Sequence, residues 1–200
     1  ALFLFAGLVI AVPAGAATEI GKVTRLQGDC RGVSEGKTQA LVKGMAIELD
    51  EQITTGKGAR LELTFEDGTR LTVGERASVK IDAYVYRPRA LGNRLDAVIA
   101  GPFRYVSGAL MKTAASSASV KTPFATIGIR GTDFWGGPLA GKSGVFLIEG
   151  SVKVTNAGGA AELRHPGEGV DIDANGAPPG GVREWAKAKV NRALATVTFR

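Results

Sequence analysis

A chain of 200 residues with one cysteine and one histidine excludes a disulfide framework within one copy and leaves little material for thiol, imidazole or metal chemistry. Its formal charge of +6, from 25 Lys and Arg against 19 Asp and Glu, favours anionic neighbours drawn in by long-range attraction. The length is sufficient to bury a hydrophobic core.

Leu2 to Val12 form an uncharged apolar run that ends in Pro13 and the small residues Ala14, Gly15, Ala16 and Ala17. The run is shorter than the roughly 20 residues needed to span a bilayer, and Ala14-x-Ala16 suits signal peptidase. Residues 1–17 therefore read as a signal peptide, incomplete on its N-terminal side because no Met or basic region precedes it. The mature chain is expected to begin at Ala17 or Thr18, to lie in the periplasm and to carry no transmembrane span. A basic protein there has acidic partner proteins, lipopolysaccharide or other anionic envelope polymers as neighbours, and no nucleic acid.

From Glu19 onward short apolar runs alternate and recur between glycines, with Ile20, Val23, Leu26, Leu41, Ile47, Leu49 and Ile53 in segments broken at Gly21, Gly28, Gly32, Gly36, Gly44 and Gly56. Period two predicts strands. Cys30 falls here and reads as a free thiol filling space. In the next segment Leu61, Leu63 and Phe65 alternate with Glu62, Thr64 and Glu66 ahead of Asp67-Gly68. A two-residue loop would put apolar and polar residues on one face. A three-residue loop of Glu66, Asp67 and Gly68 instead pairs Leu63 with Leu71 and Leu61 with Val73, and it requires Gly68 at positive φ.

Ala77 to Tyr86 predicts another strand, with Val79, Ile81, Ala83 and Val85 facing one way and Lys80, Asp82, Tyr84 and Tyr86 the other. Arg87 to Arg94 reads as a loop, followed by apolar stretches around Val98 and Phe103 to Val106. Ala114 to Ser119 reads as a surface turn before a strand at Val120 to Thr122. After Asp173 a Gly/Pro linker predicts the end of the core. From Val182 the spacing becomes helical, with Val182, Trp185, Ala186, Val190, Ala193, Leu194 and Val197 on one stripe.

The expected class is all-β, an antiparallel β-roll or sandwich with a β-helix-like arrangement as the alternative, plus one C-terminal amphipathic helix. The organisation is a signal peptide at 1–17, a β domain at 18–174, and a linker with the helix at 175–200.

The order of segments resembles the FecR domain family. The residues that carry the resemblance are Ile20-Gly21-Lys22-Val23 with Gly28, DEQITTG at Asp50 to Gly56, LELTFEDGT at Leu61 to Thr69, and Ile81-Asp82. The most specific are VKTPFATIGIRGTDF at Val120 to Phe134 and Glu149-Gly150-Ser151-Val152. The resemblance spans Glu19 to Val154. It implies a periplasmic β-rich domain, known in membrane-spanning regulators that relay signals from outer-membrane transporters to sigma factors. Those regulators carry a cytoplasmic helical segment and a membrane helix before the domain, where this chain reads as a leader. The implied role is therefore sensing or protein interaction, with a structural or glycan-binding envelope component as the alternative.

Within that motif Gly128 and Gly131 permit close approach of backbone or ligand, while Arg130 and Asp133 are near enough to pair or brace loops. The segment reads either as a core strand with a bend or as a partner-binding site of Arg130, Thr132, Asp133, Phe134 and Trp135. No catalytic signature accompanies it. Cys30 with His165 offers the only nucleophile and base, and His165 lies in a turn. Asp171 and Asp173 read as the polar face of a strand. The expectation is a non-enzyme without metal or cofactor.

Overall fold

The computed structural model describes residues 18–89, 92–113, 115–173 and 177–200. The signal peptide expected at 1–17 lies outside them, as do Ala114 of the small-residue run and residues 174–176 of the linker.

Among the described residues sixteen strands follow in chain order. The first eight are β1 (Glu19–Gln27), β2 (Cys30–Ser34), β3 (Lys37–Ala40), β4 (Ala46–Glu48), β5 (Gln52–Thr55), β6 (Arg60–Phe65), β7 (Arg70–Val73) and β8 (Ser78–Val85). The rest are β9 (Arg94–Ala100), β10 (Phe103–Val106), β11 (Ser117–Lys121), β12 (Thr126–Leu139), β13 (Lys142–Asn156), β14 (Gly159–Leu163), β15 (Glu168–Ile172) and β16 (Arg183–Glu184). A 3₁₀ turn covers Ala109–Lys112, and the helix α1 covers Lys187–Ala195.

All strands join one mixed sheet that curls into a half-barrel. On one side lies the order β3-β2-β5-β8-β9-β11, and on the other β4-β1-β6-β7-β10. The long strand β12 joins them, because Thr126 to Ile129 pair with β11 while Asp133 to Gly136 pair with β10. Strand β13 runs along the opposite edge of β12 and carries β14 on its second half and β15 on its first. Both halves close on one core. Ile53, Val79, Ile99 and Ile127 come from the first half and Leu63, Leu71, Phe103 and Tyr105 from the second. Across it, Phe65 and Tyr84 stack with ring centroids 5.5 Å apart.

The β6–β7 hairpin has the expected register, with Leu61 opposite Val73 and Leu63 opposite Leu71. The Phe65 and Gly68 amides close the loop onto Thr69 O and Phe65 O, each at 2.9 Å. Gly68 has φ 83, the left-handed conformation that ends such a loop and that glycine adopts without a Cβ clash.

Four expectations are corrected. First, the register shifts between Ile81 and Ala83, and one extra residue reverses the alternation of β8. Val85 is therefore 42% exposed, and Tyr84 turns in to meet Phe65. Second, the sheet is not purely antiparallel. Strands β9 and β11 are parallel neighbours, because the chain leaves the first half after β9 to lay β10 in the second before returning. Third, the run read as a turn before Val120 already contributes Ser117–Lys121 to the sheet, with Ala118 buried. Fourth, the helix starts at Lys187 rather than Val182. Residues 183–184 remain extended because they pair with β15, Glu184 opposite Glu168 and Arg183 opposite Gly169.

The C-terminal segment packs on the outer face of β12 and β13. Trp135, Phe146, Trp185, Ala193 and Val197 form a second buried cluster there. Trp185 stacks on Phe146 at 5.4 Å, and Lys189 lies over the Trp185 ring at 3.8 Å. No described helix is long and apolar enough to cross a membrane.

Candidate functional site

The motif marked in the sequence forms the corner where β12 passes from one half of the sheet to the other. Register shifts bracket Asp133 against β13, and Gly131 and Gly150 face each other with φ 58 and 81. A Cβ on Gly150 would run into the Gly131 carbonyl, so the bend needs backbone approaching backbone.

Its polar side chains brace this bend. Thr132 Oγ1 donates to Ser151 O at 2.7 Å, and the Thr132 amide donates to Ser107 Oγ at 2.9 Å. Asp133 does not pair with Arg130. It accepts a two-pronged contact from Arg104 on β10, Nε to Oδ1 at 2.9 Å and Nη2 to Oδ2 at 2.6 Å, the strong geometry of a guanidinium with a carboxylate. That contact holds the Arg104 pKa above its ordinary value despite partial burial.

The aromatic part of the expected partner site is corrected by burial. Phe134 and Trp135 are both fully buried. Phe134 points into the main core beside Phe103 and Tyr105. Trp135 points the other way, under the C-terminal segment, where its Nε1 donates to Thr196 Oγ1 at 3.0 Å. Thr132 is buried as well, so of the five expected residues Arg130 is the one fully at the surface. Consecutive apolar residues at 134–135 and again at 145–147 are the sequence signal of strands covered on both faces.

The remaining candidates are scattered. Cys30 is buried, and burial with the nearby Asp29 charge pushes its thiol up to about 11. His165 sits in an exposed turn, paired with Glu168 at 2.9 Å. The His165 and Arg164 amides and the His165 ring draw the Glu168 carboxyl down to about 2. Burial would raise Asp171, but Lys189 and Arg183 hold its pKa below the ordinary value. Asp173 pairs with Lys142 at 2.8 Å. Among the described residues no three His, Cys, Asp or Glu side chains converge as metal ligands.

Two buried carboxylates escaped the sequence reading. Asp67, read only as a turn residue, is 6% exposed. It accepts from Thr69 N (3.2 Å), Thr69 Oγ1 (2.6 Å), Tyr84 Oη (3.2 Å) and Leu110 N (3.0 Å). It thereby ties the hairpin loop to β8 and to the 3₁₀ turn. Burial of Tyr84, and after it the charge of Asp67, raise the pKa of that phenol.

Glu51 is 2% exposed, with Oε2 accepting from Glu48 N at 3.2 Å and Oε1 unpartnered. Burial raises its pKa above the ordinary 4.5. A raised folded pKa gives stability that is full below the unfolded value near 4.5 and is lost as pH rises through the folded one. Glu51→Gln should therefore match the parent near pH 4 and exceed it at pH 7 by about 1–3 kcal/mol, the range for an unsatisfied buried polar group. Urea unfolding at both pH values checks this, and a pH-independent difference would refute it.

These features define an all-β half-barrel of a single mixed sheet, braced at one corner and covered by a C-terminal helix. A family model described as FecR protein matches residues 51–153, just over half of the sequence, and the chain belongs to that family. The match takes in Glu51, Asp67 and the corner.

Two crystal structures of a putative anti-sigma factor from Parabacteroides distasonis share the fold, with TM-scores of 0.56 and 0.55 at 16% identity. Each similarity covers 70% of this chain and 62% of the other. No curated protein sequence matches the chain.

Proposed function

We propose that this chain is a non-enzymatic periplasmic module that recognises another envelope protein within a signalling relay. Membership of the FecR family supports the signalling role, as does the fold shared with a protein described as an anti-sigma factor. The observation that carries the recognition surface is Arg130. It is exposed beside the corner and makes no ion pair among the described residues. Its neighbours on the same outer face include Lys153, opposite Gly128 on one side and Glu162 on the other. Lys121 is exposed at the end of β11. A cation-rich face with a free guanidinium suits an acidic protein surface, with attraction that salt weakens.

The test is capture of envelope proteins on the immobilised chain, parent against Arg130→Glu, with melting temperatures measured on the same preparations. The variant should melt with the parent and retain its partner several-fold less well, and added salt should reduce the parent's capture toward that of the variant. Equal retention of the same proteins by both would overturn the assignment of this face.

A further inference from the structure

Between the C-terminal end of α1 and the sheet lies a groove of about 450 Å³ lined by Arg60, Arg76, Arg192 and Arg200 with a single acid, Glu75. Pro102 and Pro138 supply apolar wall. We infer that this groove is a binding site for a phosphate group. The deciding residue is Arg60, which is only 7% exposed.

Arg60 opens β6 and reaches under the end of the helix. Its Nη1 donates to its neighbour's carbonyl, Ala59 O, at 2.7 Å, and its Nη2 makes a long contact to Ala195 O at 3.4 Å. Its Nε is buried without a partner. No carboxylate lies within ion-pair distance of Arg60 among the described residues. Glu75 is turned to the Gly58 amide at 2.6 Å. Glu75 acts on Arg60 only at longer range, and a buried cation without a counter-charge at ion-pair distance is costly. The helix-end carbonyl offers only partial charge, and an oxyanion entering the groove would complete the balance.

Three further arginines on the same lining favour a group with more than one negative charge. The guanidinium fork matches phosphate oxygens two at a time. The volume falls within the usual range for small-ligand sites. The shared chemistry is a phosphate, either free in solution or carried on a lipid headgroup.

Thermal unfolding of the full chain in inorganic phosphate against chloride at equal ionic strength tests the site, with binding to phosphatidylglycerol vesicles and phosphatidylcholine controls measured alongside. Phosphate should raise the melting temperature of the parent, and Arg60→Met should weaken its binding by about tenfold or more. Arg76→Gly keeps the test independent of folding, because Arg76 has φ 51, a conformation glycine adopts without strain. It should melt no lower than the parent and still bind phosphate more weakly.

Vesicle binding with the same arginine dependence would identify a headgroup as the source, and a response to phosphate alone would identify a soluble ligand. Neither response in the parent, or responses undiminished in both variants, would overturn the inference and leave Arg60 as a cap for the helix end.

Discussion

Trp135→Ala is expected to destabilise the protein by about 3–5 kcal/mol, the usual cost of removing a fully buried large aromatic side chain. Trp135 has no exposed surface, lies 6.1 Å from the Trp185 ring and donates to Thr196. Its loss opens a cavity beneath α1 and orphans the Thr196 contact. The helix has only nine residues, and Ala186 at its N-cap supplies no side-chain hydrogen bond. Such a helix depends on tertiary packing. Trypsin should therefore cut at Lys187, Lys189 or Arg192 sooner than in the β core, and the urea midpoint should fall. A variant with an unchanged midpoint and no faster cleavage would show that Trp135 does not hold this layer.

Asp67→Ala should cost a comparable amount, about 3–5 kcal/mol, for a different reason. The substitution removes little apolar area but leaves the Leu110 amide, the Thr69 amide and the Tyr84 hydroxyl without their acceptor. Each buried group left unsatisfied costs about 1–3 kcal/mol. Asp67→Asn retains one acceptor oxygen and should lose less. Urea denaturation of the two variants gives the ranking, and equal stability of parent and Asp67→Ala would mean that water replaces the carboxylate at no cost.

The β6–β7 hairpin was legible because its two faces differ in chemistry, so only one register buries Leu61, Leu63, Leu71 and Val73 together. The turn of β8 was not. Val79, Ile81, Ala83 and Val85 alternate without interruption in the sequence, and the extra residue that rotates Tyr84 inward is fixed by pairing with Asp96 and Leu95.

The candidate site was legible in part. Gly131 does mark a bend, with φ 58, and Arg130 is at the surface, but neither Gly128 nor Gly131 is crowded by backbone; the close approach is made at Gly150, where a Cβ would meet the Gly131 carbonyl. Phe134 and Trp135 do not form adjacent surface, because neighbouring strand residues point to opposite faces: Phe134 enters the main core, and the outer cover of Trp135 arrives about 50 residues later with Trp185. Beyond the local contacts to Thr69 and Ala59, Asp67 and Arg60 also have distant partners, at Tyr84 and Leu110 in one case and Ala195 in the other. Pairings at such separations leave no local pattern in a single sequence.

Strands β12 and β13 are shared property of both halves of the sheet, which ties the folding of one half to the other. Beyond the outer edges at β3 and β4 the two halves have no boundary between them, since Thr126 to Ile129 and Asp133 to Gly136 are successive stretches of one strand. The matched segment 51–153 also lacks one of the two partners of β5 and of β6, because β2 and β1 lie before it, while β8 and β7 lie within it. Strand pairings this distant in sequence close slowly, on the millisecond-to-second scale usual for β proteins of high contact order. The pairing of the two halves through β12 and β13 can be completed only once Asn156, the last residue of β13, is available to the chain.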